Sequence, residues 1–364
     1  MSALGDQIKT TLAKTGPITV ERFMELALAD PQHGYYMTRD PFGTDGDFTT
    51  APEISQMFGE LLGLWAAEVW TSMGRPNPVR LIELGPGRGT LMSDALRASR
   101  IVPEFRAAFD VTLIETSPPL AQIQYDALLT AGAPIAWRGS FAEAPEGPAI
   151  VIGNEFLDAL PIRQFERRDG RWRERIVRLD PRGELAFDVA EKPEPYLNAE
   201  ADEGAVLEVG AAAHRFMFEL AGRLVKQGGA ALFIDYGRSL TGFGDSLQAL
   251  RAHRSVDPLT EPGDCDLTAH VDFAAMARTA RAAGAAVHGP IDQGDFLRAL
   301  GVDLRARALA ERSPARAAEF EAARRRLVGK DDGEMGALFK AMAVANRAVA
   351  APPGFQPVSA AKKA

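Results

Sequence analysis

From residue 79 the chain alternates short apolar runs with segments whose apolar residues recur at helical spacing. The runs predict strands at 79–84, 111–115, 135–137 and 148–152, and the segments between them predict helices from 90 and near 118–131. Such alternation is typical of a parallel sheet with helices on both faces. Ligands of these sheets bind beyond the carboxyl ends of the strands. We therefore expect functional residues where the strands end.

The first 75 residues predict a helical cap. A helix is expected at 19–29 with Thr19 as its N-cap. Thr50 and Glu53 have the spacing of a capping box, and the apolar residues from Ile54 to Val69 then fall on one helical face. The polar loop at 40–50 is either a lid over a ligand or an ordinary connection.

Residues 161–205 predict an antiparallel insertion in the sheet. Asp169 and Gly170 lie between two strand-like segments, an arrangement typical of a β-hairpin turn. A second turn is expected at 180–183. Seven arginines against three acids at 163–178 give this ribbon a local charge of 7 − 3 = +4. Such charges usually form a solvated outer face; docking of an acidic partner is the alternative. Its open strand edges could also pair with a second subunit to form a homodimer.

Beyond the insertion the alternation resumes. A strand is predicted at 231–237, and the last two strands at 285–288 and 338–342. The expected fold is α/β, with a mixed seven-stranded sheet in a core at 76–350 and a frayed tail at 351–364.

Composition narrows the class of protein. The 364 residues are 46% hydrophobic, which suits one large domain with additions. A net charge of −8 argues against nucleic acid as a partner, because phosphate binding needs a basic face. Cys265 is the only cysteine and the five histidines are scattered, so we expect no disulfide and no metal. We find neither a targeting segment nor a long apolar span, and therefore expect a cytoplasmic protein without membrane insertion.

A glycine-rich turn follows the first strand of the core. Gly85, Gly87 and Gly89 let the backbone approach a ligand closely, and the helix that follows presents free N–H groups. Many turns in α/β proteins need glycine only to reverse the direction of the chain, so the glycine-rich turn alone is weak evidence for a ligand site. A nicotinamide-binding turn would read G-x-G-x-x-G. The G-x-G-x-G spacing after Glu83 instead resembles the first motif of class I S-adenosylmethionine-dependent methyltransferases, which have a Rossmann-like fold.

Polar residues cluster where the fourth strand ends. Asn154, Glu155 and Asp158 lie at this edge, where a methyl acceptor would meet the cofactor. The simpler interpretation is that Asn154 and Asp158 cap the next helical turn.

Five segments together resemble the MidA-like family. They are GDFTTAPEISQ at 46–56, ELGPGRG at 83–89, GNEFLDALP at 153–161, FIDYG at 233–237 and DLTAHVD at 266–272. Mitochondrial members of that family are protein arginine methyltransferases that assist assembly of respiratory complex I. The resemblance implies methyl transfer from S-adenosylmethionine, with S-adenosylhomocysteine as product. The acceptor would be an arginine of a protein, such as a subunit of a quinone-dependent NADH dehydrogenase. Without a targeting segment, we expect a bacterial member.

Positions at the strand ends, together with the methyl transfer that the resemblance implies, predict roles for individual residues. Glu155 and Asp158 would orient the acceptor guanidinium, with Asn154 as a positioning partner. The cofactor residues would be Gly85, Gly87 and Gly89 at the methionyl part, Glu83 at its ammonium group, Glu115 at the ribose, Ser140 and Phe141 at the adenine, and Asp47, Thr49 and Thr50 in the lid.

Three other functions remain open at this stage. A small-molecule methyltransferase would need the same cofactor residues but a closed pocket. An assembly chaperone would bind the cofactor only for structure. A nicotinamide enzyme is disfavoured by the glycine spacing. The acceptor, the number of methyl groups added and the oligomeric state do not follow from the sequence.

Overall fold

The computed structural model describes residues 2–41 and 46–356. The helices in these ranges are α1 (Ala3–Thr15), α2 (Val20–Ala29), α3 (Tyr35–Thr38), α4 (Ala51–Ile54), α5 (Gln56–Ser72), α6 (Thr90–Ala98), α7 (Pro103–Ala108), α8 (Pro118–Leu128), α9 (Ala211–Gln227), α10 (Phe273–Ala282), α11 (Gln293–Ala299), α12 (Val302–Arg312) and α13 (Ala317–Val328). The strands are β1 (Ile18–Thr19), β2 (Val79–Leu84), β3 (Phe109–Ile114), β4 (Ile135–Arg138), β5 (Ala149–Asn154), β6 (Arg163–Arg168), β7 (Arg171–Leu179), β8 (Leu185–Pro193), β9 (Val206–Val209), β10 (Gly229–Arg238), β11 (Gln248–Arg251), β12 (Arg254–Val256), β13 (Asp266–Thr268), β14 (Val271–Asp272), β15 (Ala286–Asp292) and β16 (Phe339–Ala345).

The central sheet is mixed, as expected for the α/β class. Its strands run in the order β15-β16-β10-β5-β2-β3-β4, and the two-residue β14 adds to β10. The strands from β10 to β4 are parallel, whereas β16 is antiparallel to both of its neighbours. The register pairs Leu84 with Ile114 and Gly153, and Asn154 with Ile234. The ends of β2, β3, β5 and β10 therefore meet at one edge of the sheet.

Both faces of this sheet are buried, which explains why its strands are continuous apolar runs rather than alternating ones. Along β10, Leu232 and Ile234 contribute to the core under α5 and α6. Ala231 and Phe233 contribute to the opposite core under α9 and α10. The covering helices leave only the ends of the strands accessible to a ligand.

The predicted hairpin in the insertion is confirmed. Asp169 and Gly170 have φ values of 54° and 68° and join β6 to β7, which pair antiparallel. Two positive φ values in a two-residue loop match the right-handed twist of the strands. Strands β1, β8 and β9 complete this second sheet, so the insertion contacts the N-terminal cap through β1.

The arginines of the insertion are largely paired within the sheet itself. Arg163 is bonded to Glu174 at 2.7 Å and Arg178 to Asp188 at 2.6 Å. Arg175 is bonded to Asp245 at 2.6 Å. Asp188 and Asp245 lie outside 163–178 and lower the local charge from +4 to 4 − 2 = +2, which favours the solvated outer face over the docking of an acidic partner.

The N-terminal region confirms one helix start and corrects another. The Thr19 hydroxyl accepts a hydrogen bond from the N–H of Arg22 and caps α2 as predicted. The capping box at Thr50 is wrong, because the Thr50 side chain makes no cap bond and Glu53 accepts the Thr90 hydroxyl instead. The single helix expected here is broken at Ser55, whose side chain caps α5.

Part of two predicted segments lies outside the described residues, namely 42–45 of the loop and 357–364 of the tail. The domain boundaries at 75, 161, 205 and 350 stay predictions. No helix in the described ranges is both long and apolar enough to cross a bilayer.

Candidate active site

The glycine turn between β2 and α6 has positive φ angles, a backbone conformation that residues with a side chain rarely adopt. Gly85, Gly87 and Gly89 have φ values of 55°, 56° and 80°. A Cβ on Gly89 would lie 3.4 Å from the Cα of Gln124. The turn is closed by a 2.8 Å bond from the N–H of Gly89 to the carbonyl of Pro86. Glycine at these positions therefore keeps the turn open to a ligand.

This turn borders a cavity of about 750 Å³ at the carboxyl edge of the sheet. The cap, the ends of β2, β3 and β5, the small sheet β12-β11-β13 and the segment after α13 contribute to its wall. Among the described residues, its acidic lining comprises Glu25, Glu53, Glu83, Glu115, Glu155, Asp158, Asp266 and Glu334. The basic lining is Arg88 and Arg326, and Arg88 is bonded to Asp40 at 2.8 Å. The cavity is therefore suited to cationic ligands.

Glu83 is buried at the end of β2, and its exposed fraction is 3%. Its Oε2 has no hydrogen-bond partner among the described residues. Burial raises the pKa of Glu83 well above its ordinary value. An unpaired buried carboxylate beside the glycine turn fits the ammonium group of a methionyl cofactor, which would supply the missing charge.

Glu115 lies one residue beyond β3 and is held by two donors. The N–H of Ser117 donates to its Oε1 and the amide of Gln124 to its Oε2, both at 2.8 Å. The same Gln124 amide donates to the carbonyl of Gly87 at 2.8 Å, and its oxygen accepts from Trp137 at 2.9 Å. Gln124 thereby fixes Glu115 against the glycine turn. The sequence does not predict this role of Gln124, because nothing distinguishes it from the other polar residues of α8.

Glu155 follows β5 with a φ of 51°, which is unusual for a residue other than glycine. Its Oε1 accepts hydrogen bonds from the N–H of Ala51 at 3.1 Å and from the amide of Asn154 at 2.9 Å. Burial raises its pKa to about 7, and these two donors act in the opposite direction. The turn thus presents the Glu155 carboxylate to the cavity in a fixed orientation.

The turn after Glu155 is held by an acid on the neighbouring strand. Asp235 Oδ2 accepts the N–H groups of Phe156, Leu157 and Asp158 at 3.1, 2.8 and 3.3 Å. Burial, followed by the charge of Glu155, raises the pKa of Asp235 to about 8. Asp235 therefore caps the N–H groups of this turn. The alternative that Asn154 and Asp158 cap it is wrong.

Asp158 is 8% exposed and lines the cavity beside Glu155. Burial raises its pKa well above the ordinary value, and the charges of Asp235, Asp266 and Glu155 add to this effect. The four carboxylates interact strongly, yet the described residues contain no cluster of His, Cys, Asp or Glu arranged to hold a metal ion. These acids give this part of the cavity a lining that suits a cation.

The predicted lid residues divide into two groups. Thr49 and Thr50 line the cavity, whereas Asp47 does not. Asp47 accepts the Tyr35 hydroxyl at 2.6 Å and the N–H of Ala252 at 2.7 Å. It anchors the segment rather than facing the cavity.

Gly89, Ser140 and Phe141 also lie outside the lining. The Ser140 hydroxyl donates to Glu143 at 2.8 Å, and the Phe141 ring packs on Phe216 with 5.7 Å between centroids. A contact of Ser140 or Phe141 with adenine stays a prediction.

The sequence predicts no role for two residues that line the cavity, Asp266 and Tyr36. Asp266 lies in the segment DLTAHVD, which carried the family resemblance without a function for its acid. Tyr36 lies in α3 of the N-terminal cap, and its hydroxyl donates a hydrogen bond to Asp266 at 2.8 Å. These residues lie 230 positions apart, so only the fold brings them together.

Comparison with known proteins identifies the family. Residues 61–291 match the model of an S-adenosyl-L-methionine-dependent methyltransferase family. The chain is 37% identical over 328 residues to the mitochondrial protein arginine methyltransferase NDUFAF7 of Danio rerio, covering 83% of this chain and 77% of that protein. It is 35% identical to the Drosophila melanogaster homologue, covering 94% of this chain and 84% of that one.

A solved structure agrees in fold over almost the whole chain. The protein from Burkholderia thailandensis bound to S-adenosyl-homocysteine superposes with a TM-score of 0.85 and 29% identity. The match covers 97% of this chain and 94% of that one. The glycine turn, the unpaired Glu83 and the acidic cavity fit the same cofactor. As the resemblance to the MidA-like family implied, the chain belongs to this family of S-adenosyl-L-methionine-dependent methyltransferases.

Proposed function

We propose that this methyltransferase acts on a guanidinium nitrogen of an arginine in a protein. The observation that carries the proposal is the acidic cavity, which is lined by Glu155, Asp158 and Asp266, none of which forms an ion pair with another described residue. Arginine is permanently charged and presents five donors in one plane, so carboxylates are its natural ligands. The naming of two relatives as protein arginine methyltransferases supports the same acceptor.

The part of the cavity beside the glycine turn, called here the cofactor half, would bind S-adenosylmethionine through the acids that the sequence suggests. Glu83 would bind the ammonium group and Glu115 the ribose hydroxyls, because each carboxylate lies at a strand end beside the glycine turn. Gly85, Gly87, Thr49 and Thr50 line the cavity and would contact the cofactor as well. Gly89 and Asp47 would act indirectly, by shaping the turn and anchoring the lid segment, and an adenine contact of Ser140 and Phe141 stays a prediction.

The acceptor half would be formed by the turn after β5. S-adenosylmethionine, when bound, supplies an electrophilic methyl group on a sulfonium. Glu155 and Asp158 would accept the guanidinium N–H groups and concentrate lone-pair density on one nitrogen, while Asn154 keeps Glu155 in place. The held nitrogen would take this methyl group as S-adenosylhomocysteine leaves, and Glu155 or Asp158 would receive the proton that the methylated guanidinium releases. Much of the acceleration would come from holding the acceptor in attack geometry.

The partner we propose is a subunit of a quinone-dependent NADH dehydrogenase, whose assembly the methylation would assist. This rests on the family resemblance. A cytoplasmic location, a bacterial source and a homodimer stay predictions, and the relatives themselves are named mitochondrial.

Transfer of a labelled methyl group tests the acceptor directly. Protein extract from a strain that lacks this gene is incubated with the purified protein and S-adenosylmethionine carrying tritium in its methyl group. After acid hydrolysis, we expect the label in methylated arginine. Label in small molecules alone would establish the small-molecule methyltransferase, and binding of S-adenosylhomocysteine without any transfer would establish the chaperone.

A further inference from the structure

Asp266 is a cavity carboxylate from a different part of the chain than Glu155 and Asp158. It opens β13 in the small sheet with β11 and β12, and its exposed fraction is 3%. Beside it in the lining are Tyr236 and Thr268, whose hydroxyls lie 2.7 Å apart. The cavity therefore has an acid on the side of the small sheet as well as on the side of β5.

Among the residues that the structure describes, Glu155, Asp158 and Asp266 form no ion pair. In the part of the chain that the structure describes, no lysine, arginine or histidine nitrogen lies within 4 Å of the carboxylates of Glu155, Asp158 or Asp266. Arg326 influences Glu155 only over a longer distance. Buried carboxylates without partners are costly, so the arrangement suits cationic ligands. The sulfonium of the cofactor is one cation, and three carboxylates can accommodate a second.

A guanidinium needs more acceptors than one carboxylate offers. It carries five N–H donors, of which one carboxylate satisfies two at most in a bidentate pair. The donors left over in a buried site require another acceptor. The Asp266 carboxylate accepts the Tyr36 hydroxyl at 2.8 Å and the N–H of Leu267, and no second side chain donates to it in the described residues. It therefore keeps lone pairs for a further donor.

Resting on the proposed function, we infer that Asp266 binds the acceptor guanidinium from the side of the small sheet, while Glu155 and Asp158 bind it from β5. A protein arginine would then be recognised by carboxylates from two separate segments of the chain. Asp266 thereby becomes a substrate-binding residue in addition to those at the end of β5.

Tyr36 is the positioning residue for Asp266. Its hydroxyl fixes one carboxylate oxygen at 2.8 Å, and its carbonyl accepts the Ser117 hydroxyl at 2.6 Å. The N–H of Ser117 donates to Glu115 at 2.8 Å. A continuous set of hydrogen bonds therefore joins the proposed ribose acid to Asp266. Tyr36 sets the distance between the cofactor half and the acceptor half of the cavity.

Three variants test the inference in the labelled-methyl assay, run at saturating S-adenosylmethionine and varied extract concentration. Asp266→Asn removes the charge and keeps the shape, and Tyr36→Phe removes only the hydroxyl. Asp264→Asn is the control, since Asp264 lies two residues away and pairs with Arg39 outside the cavity lining. Calorimetry with S-adenosylhomocysteine measures the cofactor affinity of each variant.

We expect Asp266→Asn to lower the second-order rate for the acceptor by about 100-fold, as for other losses of a charged hydrogen bond. Tyr36→Phe should raise the half-saturating extract concentration about 10-fold with a nearly unchanged maximal rate, because it only loosens the carboxylate. The control should match the wild type, and all Kd values for S-adenosylhomocysteine should agree within about twofold.

A wild-type rate in Asp266→Asn would overturn the inference and leave the proposed function intact. Weakened S-adenosylhomocysteine binding in that variant would also overturn it, since Asp266 would then serve the cofactor or the fold. If the wild type itself places no label in arginine, the proposed function fails and the inference fails with it.

Discussion

The carboxylate of Glu155 accepts a hydrogen bond from the backbone N–H of Ala51, with 3.1 Å between the two atoms. Glu155 follows β5 of the core, and Ala51 begins α4 directly after the lid residues Thr49 and Thr50. The bond therefore connects the proposed catalytic acid to the segment that lines the cavity from the cap side. Placement of the lid and orientation of Glu155 depend on each other.

The first prediction concerns the charge of Glu155. Glu155→Gln keeps an oxygen for the N–H of Ala51 but no longer attracts a guanidinium, so methyl transfer should fall by about 100-fold or more. S-adenosylhomocysteine should bind as it does to the wild type in calorimetry. Glu104→Gln, at an exposed helix position, is the matched control. An unchanged transfer rate in Glu155→Gln would contradict the assigned role.

The second prediction concerns the glycine turn. Gly87→Ala places a Cβ on a residue with a φ of 56° and narrows the approach of the cofactor. We expect binding of S-adenosylhomocysteine to weaken by about 10-fold or more, because Gly87 lines the cavity and its Cβ would keep the ligand from the backbone. Gly222→Ala in α9, where a Cβ meets nothing within 4 Å, should bind normally. Equal affinities of the two variants would show that the turn does not contact the ligand.

The third prediction concerns the buried acid behind the catalytic turn. Asp235→Ala leaves the N–H groups of Phe156, Leu157 and Asp158 without their acceptor. Urea unfolding should show a loss of about 3 kcal/mol, as expected when buried donors are left unsatisfied. Asp126→Ala, on the exposed face of α8, should cost less than about 0.5 kcal/mol. A small effect of Asp235→Ala would mean that the turn has another support.

The fourth prediction is a dependence of stability on pH. Burial raises the pKa of Glu155 from an ordinary 4.5 to about 7, so the folded protein keeps a proton that the unfolded chain loses. The stability linked to this proton is complete below pH 4.5 and is lost as the pH rises through 7. Relative to the wild type, Glu155→Gln should therefore gain about 2 kcal/mol between pH 5 and pH 8.5 in the absence of cofactor. Parallel unfolding curves over this range would show that Glu155 titrates normally.

The sequence predicts the parts of this protein that depend on local patterns. The strands β2, β3 and β5 are continuous apolar runs, and Glu83, Glu115 and Glu155 could be proposed because each lies at or just beyond a strand end. The glycine turn is a local signal as well. In each case the physical cause is contained within about ten consecutive residues.

The missing parts depend on contacts between distant segments. Tyr36 meets Asp266, and Asp235 holds the turn after Glu155, through packing that no periodicity encodes. The capping box at Thr50 fails for a similar reason, since Glu53 finds a better partner in Thr90 of another helix. The adenine contact of Ser140 and Phe141 stays a prediction, because neither residue lines the cavity.

Methylation of arginine in another protein can be measured in cells through their content of methylarginine. Total protein from a strain lacking the gene is compared by mass spectrometry with the same strain carrying the wild-type gene or Glu155→Gln. We expect a specific methylated arginine to disappear in the deletion strain, to return with the wild-type gene and to stay absent with the variant. The same set of methylated arginines in all three strains would contradict it.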